Sequence, residues 1–195
     1  MLGRADLFRA ARRAVARRVI ETERLILRGW RDEDRAPFAE MGRSAAVMAH
    51  LGPAMTAAQS DAAVARMQAC QRDHGYCFWA LERRDDGRFL GFCGIKPGTV
   101  GPLVGEIEIG WRLREEAWGR GYAREAAFAS LAWGWANLDA ARIMAITTPA
   151  NTASWGLMER LGMTRRAELD FGHPDMPHGH PLHDHITYAI ARPAA

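Results

Sequence analysis

Residues 106–127 read Glu-Ile-Glu-Ile-Gly-Trp-Arg-Leu-Arg-Glu-Glu-Ala-Trp-Gly-Arg-Gly-Tyr-Ala-Arg-Glu-Ala-Ala. Glu106 to Leu113 predicts a strand, which a short connection joins to Gly119-x-Gly121 and an Ala-rich helix running to about Asn137. Glycines at a helix start let backbone N–H groups approach a ligand closely. Those N–H groups lack partners within the helix, and the helix dipole adds partial positive charge there. The stretch therefore suits a phosphate or pyrophosphate, with Arg120 and Arg124 adding charge beside it. It is a poor dinucleotide fingerprint. The third small position would be Arg124, and Asp139, 20 residues beyond Gly119, precedes the next strand instead of ending it.

On the N-terminal side, residues 22–28 predict a first strand, and Asp32 is expected to cap a helix running to about His50. A second helix is expected over 57–73. Tyr76–Arg84 and Arg88–Ile95 then form a hairpin around Asp85-Asp86-Gly87. That makes Glu106–Leu113 the fourth strand. Beyond the Ala-rich helix, Ile143–Thr147 is the fifth strand, and Asn151 caps a helix that Gly162 stops. Met163–Leu169 is expected as a sixth strand, 170–184 as a His- and Pro-rich loop, and His185–Ala191 as a last strand. Antiparallel strands early and strand–helix alternation later predict an α/β (α+β) single domain with a mixed sheet.

The chain has 195 residues, 48% hydrophobic and 25% charged, which is one domain's worth of sequence. No apolar run is long enough to span a membrane. Of 26 basic and 23 acidic side chains, residues 1–20 hold six arginines and one acid. The charge surplus therefore belongs to an arm, read as a basic amphipathic helix over 5–19 whose partner is unknown. The body is close to neutral and is not expected to bind nucleic acid. Residues 21–195 are expected to form the catalytic domain. Lys96, the only lysine, precedes Pro97, which excludes a Walker A loop. Three cysteines, Cys70, Cys77 and Cys93, form no framework and no secretory signal is visible, so a cytoplasmic location is expected.

Residues 111–125 resemble the acetyl-CoA pyrophosphate loop of the GNAT acetyltransferases, Gln/Arg-x-x-Gly-x-Gly/Ala, with Gly119 and Gly121 in the small positions and Glu116 in the first. Trp-Gly-x-Gly-Tyr-Ala after Glu-Ile-Gly-Trp-Arg-Leu is similar to the branch of ribosomal-protein (alanine/serine) N-terminal acetyltransferases. Thr22–Arg28, Asn151-x-x-Ser154 and Glu159–Met163 resemble the same branch. The resemblance implies a central, mostly antiparallel sheet of six to seven strands, splayed between the fourth and fifth, with helices on both faces. It implies that acetyl-CoA lies in that V, its pantetheine along Trp111, Arg112 and Leu113. The pyrophosphate would then sit on residues 119–124 (Gly119, Arg120, Gly121, Tyr122, Ala123, Arg124), with Asn151 also in contact.

Acetyl transfer to an amine needs a proton acceptor, because an α-amino group has a pKa of about 8 and a lysine about 10.4. Glu106 and Glu108, two apart on one strand, are the candidates, and Glu108 is preferred. A tyrosine seven residues after the capping Asn often protonates the thiolate in this family. Here that position is Met158, and Ser154 resembles the branch's alternative acid. The cysteines are expected to be structural, so transfer is expected to be direct, in a ternary complex.

The cluster His173, His178, His180, His183 and His185 fits no common zinc spacing, and no metal is expected. Its segment reads as a loop lining the acceptor site or as plain surface. Trp30, Trp79, Trp133, Trp135 and Trp155 read as core. The expected activity is transfer of acetyl from acetyl-CoA to a protein N-terminal or small-molecule amine, by a chain that could pair as a homodimer. The alternative is a catalytically silent acyl-CoA-binding module, for which Met158 is the support.

Overall fold

The computed structural model describes residues 18–194. Most of the expected arm helix lies outside these residues. The domain starts earlier than expected, because Arg18–Glu21 is a strand, β1. It pairs antiparallel with β2, Leu25–Arg28. Thr22 closes the turn between them: its N–H donates to Leu25 O at 2.9 Å and its Oγ1 accepts from Leu25 N at 3.0 Å. The single strand expected over 22–28 is thus a turn followed by a short strand. Leu25, Ile26 and Leu27 are all buried, as a strand covered on both faces requires.

The helix expected over 32–50 is divided. A 3-10 turn over Asp32–Asp34 leads into α1, Arg35–Arg43, and Ser44 separates it from α2, Ala45–Met48. The Ser44 side chain accepts from Val47 N and starts α2. Asp32 is not the cap. Instead Asp34 turns inward and accepts from Arg31 N at 2.8 Å. The long helix α3, Ala57–His74, starts on a Thr56/Gln59 capping box and ends at Gly75, whose φ of 82° permits the left-handed stop.

Strands β3 (Phe78–Arg83) and β4 (Phe89–Pro97) form the expected hairpin, and β5 is Ile107–Leu113. Helix α4 is Tyr122–Asn137, β6 is Arg142–Thr147 and α5 is Thr152–Arg160. The expected sixth strand shrinks to β7, Thr164–Arg165, followed by a 3-10 turn. The His-rich loop contributes β8, Phe171–Gly172, and the chain closes with β9, Asp184–Ala191.

The sheet has nine strands in the order β1-β2-β3-β4-β5-β6-β9-β7, with β8 beside β9. This exceeds the expected six to seven because β1 and β8 add two short pairings. Every pairing is antiparallel except β5–β6.

Helices cover both faces. On one, Phe38 of α1 and Trp30 meet Phe92 of β4 at ring separations of 6.3 Å. On the other, Trp133 of α4 packs edge-on to Trp79 at 5.1 Å. Trp30 and Trp79 are fully buried, while Trp133, Trp135 and Trp155 are partly buried against the core.

Candidate active site

The parallel pairing of β5 and β6 covers two positions, Ile107 with Ile143 and Glu108 with Met144. Beyond them β5 stays bonded to β4 as far as Leu113 and Gly91, while β6 continues with β9. From Ile109 onward the β5 edge toward β6 is outside any ladder, so the two strands part and an extended ligand can use that edge.

The N-terminus of α5 stands at this opening. Together these elements enclose a pocket of about 170 Å³ lined by Phe78, Phe92, Glu108, Gly110, Trp111, Arg112, Ile146, Thr147, Asn151, Ser154 and Met158, with Leu51 and Ile109. Gly110 is required: a Cβ there would lie 2.6 Å from the Phe78 ring, which walls the pocket.

Past the end of β5 the chain turns through Gly119 and Gly121, at φ 69° and 78°. The first backbone bond into α4 runs from Glu125 N to Gly121 O at 3.0 Å, which leaves the N–H groups of the preceding turn outside the helical ladder. A Cβ at Gly119 would point into open space and one at Gly121 would meet only the tip of Arg24. Gly119, Arg120 and Gly121 are thus exposed at a helix N-terminus, with Arg124 exposed in its first turn. Glu116 pairs with Arg88 and Arg114, at 2.7 Å each.

The first hairpin holds this turn in place. Arg24 Nε donates to Glu125 Oε2 at 2.6 Å, and its guanidinium also donates to Arg120 O at 2.9 Å and lies 4.8 Å over the Tyr122 ring. Thr22 Oγ1 and Arg24 N donate to the other oxygen of Glu125. Burial pushes the Glu125 carboxyl up, but these donors outweigh it and hold the group below its ordinary range. This buttress was not visible in the sequence, where Thr22–Arg28 read as one strand.

The two candidate bases separate. Glu108 lines the pocket, ion-paired to Lys96 on β4, its cross-strand partner. Glu106 precedes β5, is absent from the pocket wall and pairs with Arg142 at 2.6 Å. Ser154 and Asn151 line the pocket opposite β5, and Asn151 Oδ1 accepts from Ser154 N at 3.3 Å. Met158, 1% exposed, stands beneath them. Trp111 and Arg112 line the pocket, whereas Leu113 points into the core.

Sequence reasoning missed Lys96 and the side chain of Arg112. Arg112 lies 5.9 and 5.5 Å from the Phe38 and Phe92 ring centres and its Nε has no hydrogen-bond partner. Burial pulls its guanidinium down to about 10.

Cys77 and Cys93 are fully buried, and burial pushes the Cys93 thiol up to about 12 and that of Cys77 still higher. Neither is poised as a thiolate nucleophile. His173 of the His-rich loop lies 5.0 Å, ring to tilted ring, from His185 at the start of β9, and burial is the largest cause that lowers the His185 imidazole. Among the described residues, no group of three or more His, Cys, Asp or Glu is placed to hold a metal ion. None of the histidines lines the pocket. Among the described residues, no helix is long and apolar enough to cross a membrane.

The chain belongs to the GNAT acetyltransferase family, whose acetyltransferase (GNAT) domain model matches residues 24–164. It is 30% identical over 173 residues to the uncharacterized N-acetyltransferase YnaD of Bacillus subtilis (strain 168), covering 88% of this chain and 95% of that protein. Among solved structures it is similar to the acetyltransferase (GNAT family) from Bacillus anthracis. The two are 27% identical, with a TM-score of 0.71 over 89% of this chain and 98% of that one. RimL, a ribosomal L7/L12 alpha-N-protein acetyltransferase solved in complex with coenzyme A, shares the fold. Its TM-score is 0.71 over 90% of this chain and 98% of that one, at 16% identity.

Proposed function

We propose that this chain transfers acetyl from acetyl-CoA to a primary amine, directly and within a ternary complex. The observation that carries this reading is the pocket at the parting of β5 and β6. Where β5 parts from β6 lies a pocket lined by both Glu108 and Ser154, and the chain that leaves β5 turns through Gly119 and Gly121 into the N-terminus of α4.

Acetyl-CoA supplies the activated acyl group as co-substrate. The backbone N–H groups of 119–124 receive its pyrophosphate, and Arg120 and Arg124 add charge at the rim. The β5 edge at Trp111–Leu113 pairs with the pantetheine arm, and Asn151 orders the start of α5 beside it. The amine nitrogen forms the new C–N bond as the C–S bond breaks. Glu108 accepts the proton that the amine gives up, directly or through water. Ser154 Oγ hydrogen-bonds the departing sulfur, a place where Met158 has no proton to offer. Glu106, held by Arg142, takes no part.

The test is release of the CoA thiol against a broad panel of amines, with product mass measured. Acetylated amine and CoA in equal amounts support the reading. Parallel double-reciprocal kinetics, or an acetylated cysteine, contradict direct transfer.

A further inference from the structure

The pocket wall contains two charged residues, Glu108 and Arg112. Glu108 is neutralised by Lys96. Arg112 forms no salt bridge among the described residues, and its Nε is one of three buried side-chain nitrogen or oxygen atoms among them without a partner. Its remaining neighbours are soft: Met55 Sδ at 3.5 Å from one terminal nitrogen, and the Phe38 and Phe92 rings. A guanidinium placed among aromatic rings and a thioether has given up water without gaining an anion, which is costly. Arg112 is nevertheless only partly buried and is one of the residues that line the cavity.

Arg112 and Glu108 project from the same face of β5, on either side of Gly110, because side chains two and four residues apart along a strand share a face. Arg112 lies roughly 13 Å along the strand from Glu108. The planar fork of a guanidinium matches a carboxylate in two parallel hydrogen bonds. We infer that the acceptor amine carries a carboxylate, and that Arg112 binds it while Glu108 faces the amine. This rests on the acetyltransferase reading and narrows its substrate class. The carboxylate has two sources: the α-carboxylate of a free amino acid, or an acidic side chain in the first residues of a peptide.

Matched acceptors test this. One arm compares free amino acids with their amides. The other compares C-terminally amidated tetrapeptides having Asp or Glu with those having Asn or Gln in the first two positions. In one arm the carboxylate form should exceed its neutral twin about tenfold or more in kcat/KM. Arg112→Met should bring that ratio close to 1 and Arg112→Lys should hold it in between. The arm that responds names the source.

A second readout needs no turnover. About 10 mM succinate should raise the melting temperature of the wild type and not of Arg112→Met. Arg112→Met alone should melt no lower than the wild type, because it replaces an unpaired charge with an apolar group of similar length. Equal kcat/KM for both members of every pair overturns the inference. So does an undiminished ratio in Arg112→Met, as when the guanidinium serves the thioester, and so does an equal or absent succinate shift. An enzyme that binds no acetyl-CoA defeats the acetyltransferase reading instead, and the succinate comparison still decides the Arg112 site.

Discussion

The Lys96 ammonium rests on the Glu108 carboxylate, each the cross-strand neighbour of the other on β4 and β5. The only lysine of the chain thus orients the carboxylate that faces the opening between β5 and β6. Glu108→Gln should lower kcat by roughly 10²–10⁴-fold with little change in acetyl-CoA affinity. Lys96→Met should cost less, and should add little on top of Glu108→Gln, because it acts through that carboxylate. Steady-state kinetics of the two single variants and the double variant test this, and strictly additive losses would contradict it.

Ser154 and Asn151 have separable roles. Asn151 caps α5, so Asn151→Ala should lower stability by about 1 kcal/mol. Ser154→Ala should leave the melting temperature within a degree or two and lower kcat by about tenfold, the loss of one hydrogen bond to the leaving sulfur. Unchanged turnover in Ser154→Ala would remove it from the chemistry.

The buttress beneath the glycine turn gives a pH dependence. A carboxylate held below its ordinary value of 4.5 stabilises the fold fully above that pH and loses the contribution as pH falls through its folded value. Glu125→Gln should therefore destabilise the protein by about 1–2 kcal/mol at pH 7, and the gap to wild type should narrow below about pH 4. Denaturant unfolding at pH 7 and pH 3.5 measures it. A gap that persists unchanged at low pH would show that the charge is not responsible.

Arg28 and Asp34 are both almost fully buried and pair through two hydrogen bonds of 2.8 and 2.9 Å, with Glu82 on the other edge of the guanidinium. Removing one charge leaves the other uncompensated, so Asp34→Ala should cost about 3–5 kcal/mol, the largest loss predicted here. Urea unfolding checks it; a loss under about 1 kcal/mol would mean that water or Glu82 replaces the missing partner.

Elements marked by local chemistry were legible in the sequence. The Asp85-Asp86-Gly87 hairpin, the α3 span, the Asn151 cap and the glycine turn before α4 all stand where their residues put them. What depends on distant partners was not legible. β1 begins with the last arginine of an arginine-rich stretch and becomes a strand by pairing with β2. Asp34 reads as an ordinary first-turn acid until the fold brings Arg28 against it. The Lys96–Glu108 pair needs the β4–β5 register, which the connection between Pro97 and Ile107 leaves open. The apolar surroundings of Arg112 exist only in three dimensions, among Met55, Phe38 and Phe92.

Calorimetric titration of acetyl-CoA into the wild type and into Gly121→Glu examines the cofactor site itself. The substitution forces a side chain onto a backbone at φ 78° and puts negative charge at the donors of residues 119–124. The wild type should bind with micromolar affinity, about −8 kcal/mol, and the variant should show no binding while retaining a cooperative melt. Wild type that fails to bind, or a folded Gly121→Glu that binds equally well, would contradict the placement of acetyl-CoA at this turn.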